Sequence, residues 1–262
     1  MIVIGELING MYKAVGKAIR DRDQAVIKQL AKRQADAGAH YLDVNTGPFS
    51  KNQKDDMQWL IETIQSAVDV PLAIDSTKPD VIEEGLKIAQ KKAIINSTSA
   101  DPEKMETLLP MAKKYGSMII GLTMDKKGVP QDRVKRVELA AQIVAQCMEF
   151  DIPTDQVLID PIILPINVAQ PQGPEVLESI REIQIISDPP PKTVLGLSNV
   201  SQGTKFRPLI NRTYLVMAIG SGLSAAILDP LDRELMDAMI AAELLTNKNI
   251  YCDSFLDAYR KR

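Results

Sequence analysis

The chain is almost without histidine: His40 is the only one among 262 residues. That excludes a zinc site built on several imidazoles and an HExxH helix within one chain. Any Ser-His-Asp or Cys-His pair would have to use His40. Cysteine is nearly as scarce. Cys147 and Cys252 lie far apart and form no CxxC, so they read as buried or idle thiols in a reducing compartment. No GxGxxG follows the first apolar run, which removes the usual advertisement of an open dinucleotide-binding sheet. There is no basic excess either: the net charge is -3, and Lys91 and Lys92 are dispersed among acids. No field is available to attract nucleic acid. No apolar run approaches the length of a membrane span. The start, Met1-Ile2-Val3-Ile4-Gly5, lacks the basic opening of a signal peptide, so a cytoplasmic protein is expected. No Pro/Gly/Ser-rich linker divides the chain, so residues 1–262 are expected to form one domain.

What is present is ordinary in bulk and regular in pattern. Apolar residues make up 45% and charged residues 25%, enough for a sizeable core. Short β-rich runs at 2–5, 40–44, 71–74, 93–95, 117–122, 157–159, 193–196 and 225–228 predict buried parallel strands. Amphipathic segments at 24–37, 57–67, 81–90, 102–114, 133–150, 174–186, 212–221 and 232–247 predict helices between them. Pro102 and Pro174 fit first helical turns, and Gly38 and Gly116 fit helix ends. Asp23 and Asp132 are candidate N-caps. Eight alternations at about 32 residues each match the βαβ repeat, and the chain length matches a complete (β/α)8 TIM barrel.

A barrel places its active site at the C-terminal ends of its strands, and those ends are polar here. Glu6 and Asn9 follow the first run, Asp43 and Asn45 end or follow the second, Asp75, Ser76 and Thr77 follow the third, and Asn96, Ser97 and Thr98 the fourth. Thr123 follows the fifth, Asp160 the sixth, Ser198, Asn199 and Gln202 the seventh, and Asp229 the eighth. Any one of them can be a cap or a loop-satisfying residue. Together, Asp43, Asp75, Asn96, Asp160 and Asn199 converge on one mouth from five strands. His40 opens its strand at the other end, which marks it as structural. Carboxylates alone would also suit Mg²⁺. Asn amides and carbonyls suit a heterocycle that carries both donors and acceptors, such as a pterin. The polar segment 198–207 adds Lys205 and Arg207, which either meet an anionic tail or stay solvated.

The stretches Ile8-Asn9-Gly10-Met11, Leu42-Asp43-Val44-Asn45-Thr46-Gly47-Pro48, Asp75-Ser76-Thr77, Ile95-Asn96-Ser97-Thr98, Gly121-Leu122-Thr123-Met124, Ile159-Asp160-Pro161 and Leu195-Gly196-Leu197-Ser198-Asn199-Val200-Ser201 resemble the methyltetrahydrofolate:corrinoid/iron–sulfur protein methyltransferase family of the reductive acetyl-CoA (Wood–Ljungdahl) pathway of carbon fixation. The resemblance runs to Tyr251-Cys252-Asp253-Ser254-Phe255. It implies a homodimer of pterin-binding barrels, related to dihydropteroate synthase and to the folate module of cobalamin-dependent methionine synthase. It implies that Asp75, Asn96 and Asp160 hold the pterin. Asn199 would lie near N5, Gly196 and Ser198 on the same wall, and Gln202 and Arg207 on the adjoining loop. Methyltetrahydrofolate is then the substrate, no cofactor or metal is tightly bound, and the cobalt corrinoid arrives on a partner, the corrinoid iron–sulfur protein. The catalytic set expected is Asn199, Asp75 and Asp160, with the proton reaching N5 through water or a network that includes Asp75 or Asp160. The lone histidine stands in Ala39-His40-Tyr41-Leu42, without the DxHxxG context of many corrinoid-binding domains.

Four rivals stay open on sequence. Dihydropteroate synthases carry S-x-R on the last strand, where this chain reads Ala225-Ala226-Ile227-Leu228-Asp229-Pro230. A related methyltransferase would serve another corrinoid protein or run in reverse. A non-catalytic folate-binding barrel and a Mg²⁺-dependent barrel lyase complete the set.

Overall fold

Buried apolar runs need partners on both faces, and here they find them in a closed ring. The computed structural model describes residues 1–260. Eight parallel strands close into a barrel in chain order: β1 (Ile2–Asn9), β2 (Tyr41–Asn45), β3 (Leu72–Asp75), β4 (Ile94–Ser99), β5 (Met118–Leu122), β6 (Val157–Asp160), β7 (Lys192–Gly196) and β8 (Ala225–Leu228). Closure is made by β1 against β8, with Ile2 opposite Ala225 and Gly5 opposite Leu228. Around the ring run α1 (Lys13–Asp21), α2 (Gln24–Asp36), α3 (Gln53–Gln65), α4 (Pro79–Ile88), α5 (Pro102–Tyr115), α6 (Arg133–Glu149), α7 (Ile166–Ala169), α8 (Gln172–Ile183), α9 (Arg207–Gly220), α10 (Arg233–Leu245) and α11 (Phe255–Arg260).

All eight expected strands and all eight expected helices are present, with ends displaced by a few residues. The cap assignments hold: Asp23 accepts from the Ala25 and Val26 N–H groups and Asp132 from Lys135. Gly116 ends α5 at φ 62, a left-handed conformation that costs glycine little. Three helices escape the sequence pattern. α1 is a nine-residue helix that buries only Val15, Ala18 and Ile19, and α7 and α11 are shorter still and bury nothing fully, so each gives a window too short to stand out. α9 begins at Arg207, with Pro208 in its first turn, five residues before the periodic stretch that predicts it.

The core has two layers. Ile4, Ala73, Ile94, Met118, Ile120, Leu158, Val194 and Ala225 fill the barrel interior. Val3, Leu42, Val44, Ile74, Ile95, Ile119, Ile159 and Leu195 face outward and pack beneath the helices. Each fully buried Leu or Ile contributes about 1.5–3 kcal/mol, so this outer layer supplies most of the stabilisation. The two-residue period of a strand then dictates what stands above the inner layer. Ile4 is followed inward by Glu6, Ala73 by Asp75, Ile94 by Asn96, Leu158 by Asp160 and Val194 by Gly196. On β2 the inward column is Tyr41, Asp43 and Asn45.

Candidate active site

The register of the sheet sets these polar side chains side by side. Asn45 lies opposite Asp75, and Asp75 opposite Asn96. Two amide–carboxylate couples result. Asn45 Nδ2 donates to Asp75 Oδ2 at 2.6 Å, and Asn96 Nδ2 donates to Asp43 Oδ1 at 2.9 Å. Asn45 Oδ1 in turn accepts from the Gly47 N–H at 2.7 Å. The loop carrying Gly47 (φ 76) lies against Gly10; a Cβ on Gly10 would stand 2.1 Å from the Thr46 carbonyl oxygen. Only glycine permits that approach, and it holds the β1 and β2 loops together at the mouth.

Asp160 is buried at the end of β6. Its Oδ1 accepts from the Ile162 N–H at 2.7 Å and its Oδ2 from the Gly196 N–H at 3.3 Å. Behind it lies Arg136, fully buried on α6, whose Nε donates to the Pro161 carbonyl at 2.8 Å and Nη2 to Gln172 Oε1 at 2.6 Å. Burial pushes the Asp160 carboxyl up to about 6, against the lowering effect of the two N–H groups and Arg136. Asp43 is driven well above the usual carboxylate range by burial and by the charge of Asp75. Asp75 is raised by burial, with the Asn45 bond opposing.

The β7 end continues as a short 3-10 turn, Leu197–Ser201. Asn199 is exposed on it, and its Nδ2 would lie 3.0 Å from a Cβ built on Gly196. The side chain therefore lies close over Gly196, where a methyl group would press on its amide. Arg207 braces the turn: its Nε donates to Ser201 Oγ at 3.1 Å and its Nη2 to the Ser198 carbonyl at 3.3 Å. Gln202 and Lys205 are exposed on the adjoining segment. All the candidate residues, Asp75, Asn96, Asp160, Gly196, Ser198, Asn199, Gln202 and Arg207, thus belong to strand ends, the turn and loop after β7, or the first residue of α9, at one end of the barrel.

Glu6 was visible as a strand-end carboxylate but stood outside the candidate set, and the structure puts it among these residues. Ser198 Oγ donates to Glu6 Oε1 at 2.6 Å. Burial pushes Glu6 up to about 7; the Ser198 bond opposes, Asp229 adds to the rise and Arg207 lowers it. The alternation Ile2, Ile4, Glu6 was the available signal. Arg136 had no comparable signal, because helical arginine is usually a surface residue.

His40 lies at the opposite end, before β2, where its Nδ1 accepts from the Val3 N–H at 3.1 Å. Cys147 is buried and Cys252 exposed, both free. Burial pushes the Cys147 thiol up to about 12, which makes it a poor nucleophile. Among the described residues, no group of three or more His, Cys, Asp and Glu side chains is arranged to hold a metal ion, and no helix is long and apolar enough to cross a membrane.

A closed parallel barrel with a carboxylate- and amide-lined mouth belongs to the (β/α)8 class, whose sites for small molecules lie at the C-terminal ends of the strands. Within it, residues 13–229 match the model of the pterin-binding enzyme family, and the chain belongs to that family. It is 31% identical, over its full length and 97% of the relative's, to the methylcorrinoid:tetrahydrofolate methyltransferase of Eubacterium limosum. It is 28% identical over 87% of its length to methionine synthase of Mycobacterium tuberculosis, of which the match covers 20%. In fold it is similar to the dihydropteroate synthase of Coxiella burnetii solved in complex with pteroic acid, with a TM-score of 0.73 at 16% identity, covering 95% of this chain and 94% of that one.

Proposed function

We propose that this barrel binds methyltetrahydrofolate at its mouth and moves the N5-methyl group between that folate and the cobalt of a corrinoid carried by a separate protein. The observation that carries the reading is the composition of the mouth. A pterin edge presents an exocyclic amine and ring N–H groups, which a carboxylate such as Asp160 or Asp75 accepts in parallel. Its carbonyl and ring nitrogens call for donors, which the Asn96 amide supplies. Methyl transfer, as against pteroate synthesis, is supported by the full-length similarity to a methyltransferase. The absence of S-x-R from β8 supports it too.

The chemistry follows from the leaving group. N5 of methyltetrahydrofolate is a tertiary amine and releases its methyl group poorly. Positive charge on N5, from a proton or a strengthening hydrogen bond, lets the folate leave as a neutral amine. A donor that bonds N5 more strongly in the transition state lowers the barrier selectively. Asn199 has that role in this reading: it is exposed on a turn braced by Arg207, with Gly196 and Ser198 on the same wall and Gln202 at the rim. An amide is no acid at neutral pH, so the proton has another source. No covalent enzyme intermediate is required.

In the finer form of the proposal the partner is a corrinoid iron–sulfur protein of the reductive acetyl-CoA pathway. The enzyme is cytoplasmic, works as a homodimer and holds no resident cofactor. A second reading is favoured by the name of the Eubacterium limosum relative, which has a methylcorrinoid as donor and tetrahydrofolate as acceptor. The same site would then serve a different corrinoid protein in the opposite direction.

Both readings are tested anaerobically with the purified protein. Methyltetrahydrofolate and free cob(I)alamin are mixed and the cobalt spectrum is followed; methylcobalamin and tetrahydrofolate are mixed in parallel. Growth of the methylcobalamin spectrum, or its decay in the second mixture, is the expected result. Folate binding without transfer to free cobalamin or to corrinoid proteins would reduce the molecule to a binding protein. Absence of folate binding would end the pterin reading.

A further inference from the structure

Resting on the methyl-transfer reading above, we propose that Glu6 is the proton carrier of the mouth, passing a proton through the Ser198 hydroxyl to N5 of the bound folate beside Asn199. Five carboxyl groups, those of Glu6, Asp43, Asp75, Asp160 and Asp229, stand on or just after the strands at the mouth, and their partners differ in kind. Asp43 is held by the Asn96 amide and Asp75 by the Asn45 amide. Asp160 is held by the backbone N–H groups of Ile162 and Gly196, and Asp229 by that of Leu231. None of those donors can exchange roles and hand a proton onward. Glu6 alone among the five is paired with a hydroxyl, Ser198 Oγ at 2.6 Å, which can donate and accept by rotating. Ser198 directly precedes Asn199 on the same turn.

The surroundings of Glu6 favour its holding a proton at neutral pH. Ser198 and Arg207 face it from the β7 side, Asp229 from the end of β8, Tyr12 from the turn after β1, and Asp43 from β2. Arg207 is the one cation in that group. Burial and the acidic neighbours outweigh it, which leaves the carboxyl at about 7, where a general acid is most effective. Asp160, at about 6 and bonded on both oxygens, is better suited to stay ionised and bind.

The step balances. Protonated Glu6 donates to Ser198 Oγ while the Ser198 hydroxyl turns its own proton to N5, leaving a carboxylate and a methylammonium. The N5–methyl bond breaks with its electron pair staying on nitrogen. The reduced cobalt of the corrinoid substrate supplies two electrons to the new bond to carbon and is oxidised by two. The folate leaves as a neutral secondary amine keeping the proton, and Glu6 regains one from solvent.

The test uses the full chain with methyltetrahydrofolate and cob(I)alamin. Folate affinity is measured by calorimetry, and single-turnover transfer is measured from pH 5.5 to 8.5. Glu6→Gln keeps the acceptor for Ser198 and the volume, and loses the proton. It should bind folate within about threefold of the wild type and transfer roughly 100-fold more slowly at pH 7. The wild-type fall in rate as pH rises through about 7 should flatten. Ser198→Ala should flatten the profile too, with Glu6 intact, and Ser198→Thr, which keeps a hydroxyl, should restore it. Glu6→Gln with wild-type speed and an unchanged profile overturns the proposal. So does a loss of folate affinity as large as the loss of rate, which would make Glu6 a binding residue. A wild type that binds no folate or transfers no methyl group overturns the underlying reading instead, and that result is seen before any variant is made.

Discussion

In the proposed mechanism Gly196 and Asn199 work as a pair. Gly196 sits at φ -71, so alanine meets no backbone strain there. Its Cβ would, however, stand 3.0 Å from Asn199 Nδ2, tight enough to move the amide. Gly196→Ala should fold normally and bind methyltetrahydrofolate within a few-fold, yet lose transfer by about 10- to 100-fold, as Asn199→Ala should. Equal losses of binding and rate in both variants would remove the transition-state role of Asn199. In the proposed reading Asp160 belongs to binding. Its carboxylate accepts from the pterin only when ionised, so folate affinity should fall as pH drops through about 6, measured by calorimetry. Asp160→Asn should weaken affinity by about 10- to 100-fold, as expected for loss of charge-assisted hydrogen bonds. Undiminished affinity in that variant would defeat the assignment.

At the scale of elements, the 3-10 turn and the start of α9 act together. Arg207 opens the helix and spends its guanidinium on Ser201 and Ser198, so it holds the turn that carries Asn199. β1 makes the complementary contribution. Its register shifts between Gly5 and Ile8, a bulge that leaves a ladder amide unpaired. Gln34 of α2 answers it, its Oε1 accepting from the Leu7 N–H at 3.1 Å. Mouth carboxyls with raised pKa values also tax the empty protein. A carboxyl whose folded pKa exceeds its unfolded value stabilises the fold fully below the unfolded pKa, and that contribution is lost as pH rises through the folded one. For Glu6 the window runs from about 4.5 to about 7. Glu6→Gln should therefore stabilise the ligand-free protein at pH 8 by up to about 3 kcal/mol, with the gain gone by pH 4. Denaturant titrations at the two values check this. An equal effect at both would mean that packing, not ionisation, is responsible.

Across the whole molecule, the apolar surface is unevenly spread. Ile166 and Val168 on α7 and Leu209, Val216 and Met217 on α9 are exposed. A groove of about 390 Å³ runs between α8 and α9, lined by Leu177, Val200, Leu209, Ile210 and Met217 among others. The outward positions of α9 after Arg212, namely Thr213, Val216, Met217 and Gly220, carry no charge. An uncharged face of this kind suits an isologous contact with a second copy, and it is the surface proposed here for the homodimer. Leu209→Glu combined with Met217→Glu should convert a dimer to a monomer in light scattering with the fold retained. A wild type that is monomeric at micromolar concentration would end that proposal.

The barrel itself was legible in the sequence, because a strand buried on both faces must be short, apolar and β-branched, and a helix between two such strands must show one apolar stripe. The 32-residue spacing and the capping residues Asp23, Asp132 and Gly116 reinforce one another, since local propensity and global fold agree there. Strand-end polarity was legible for the same reason: Asp75, Asn96 and Asp160 stand two residues above interior apolar positions. The pairing of those residues was not legible. Ser198 meets Glu6 across 192 positions of chain, and the bond exists only because closure brings β7, β8 and β1 around one axis. Arg136 reads as a surface residue until the β6 loop folds over it. Composition and period decided which elements form and which face each side chain takes. Distance, burial and therefore the acidity of each carboxyl were decided by the closed barrel, since desolvation and Coulomb interaction depend on neighbours in space and not in sequence.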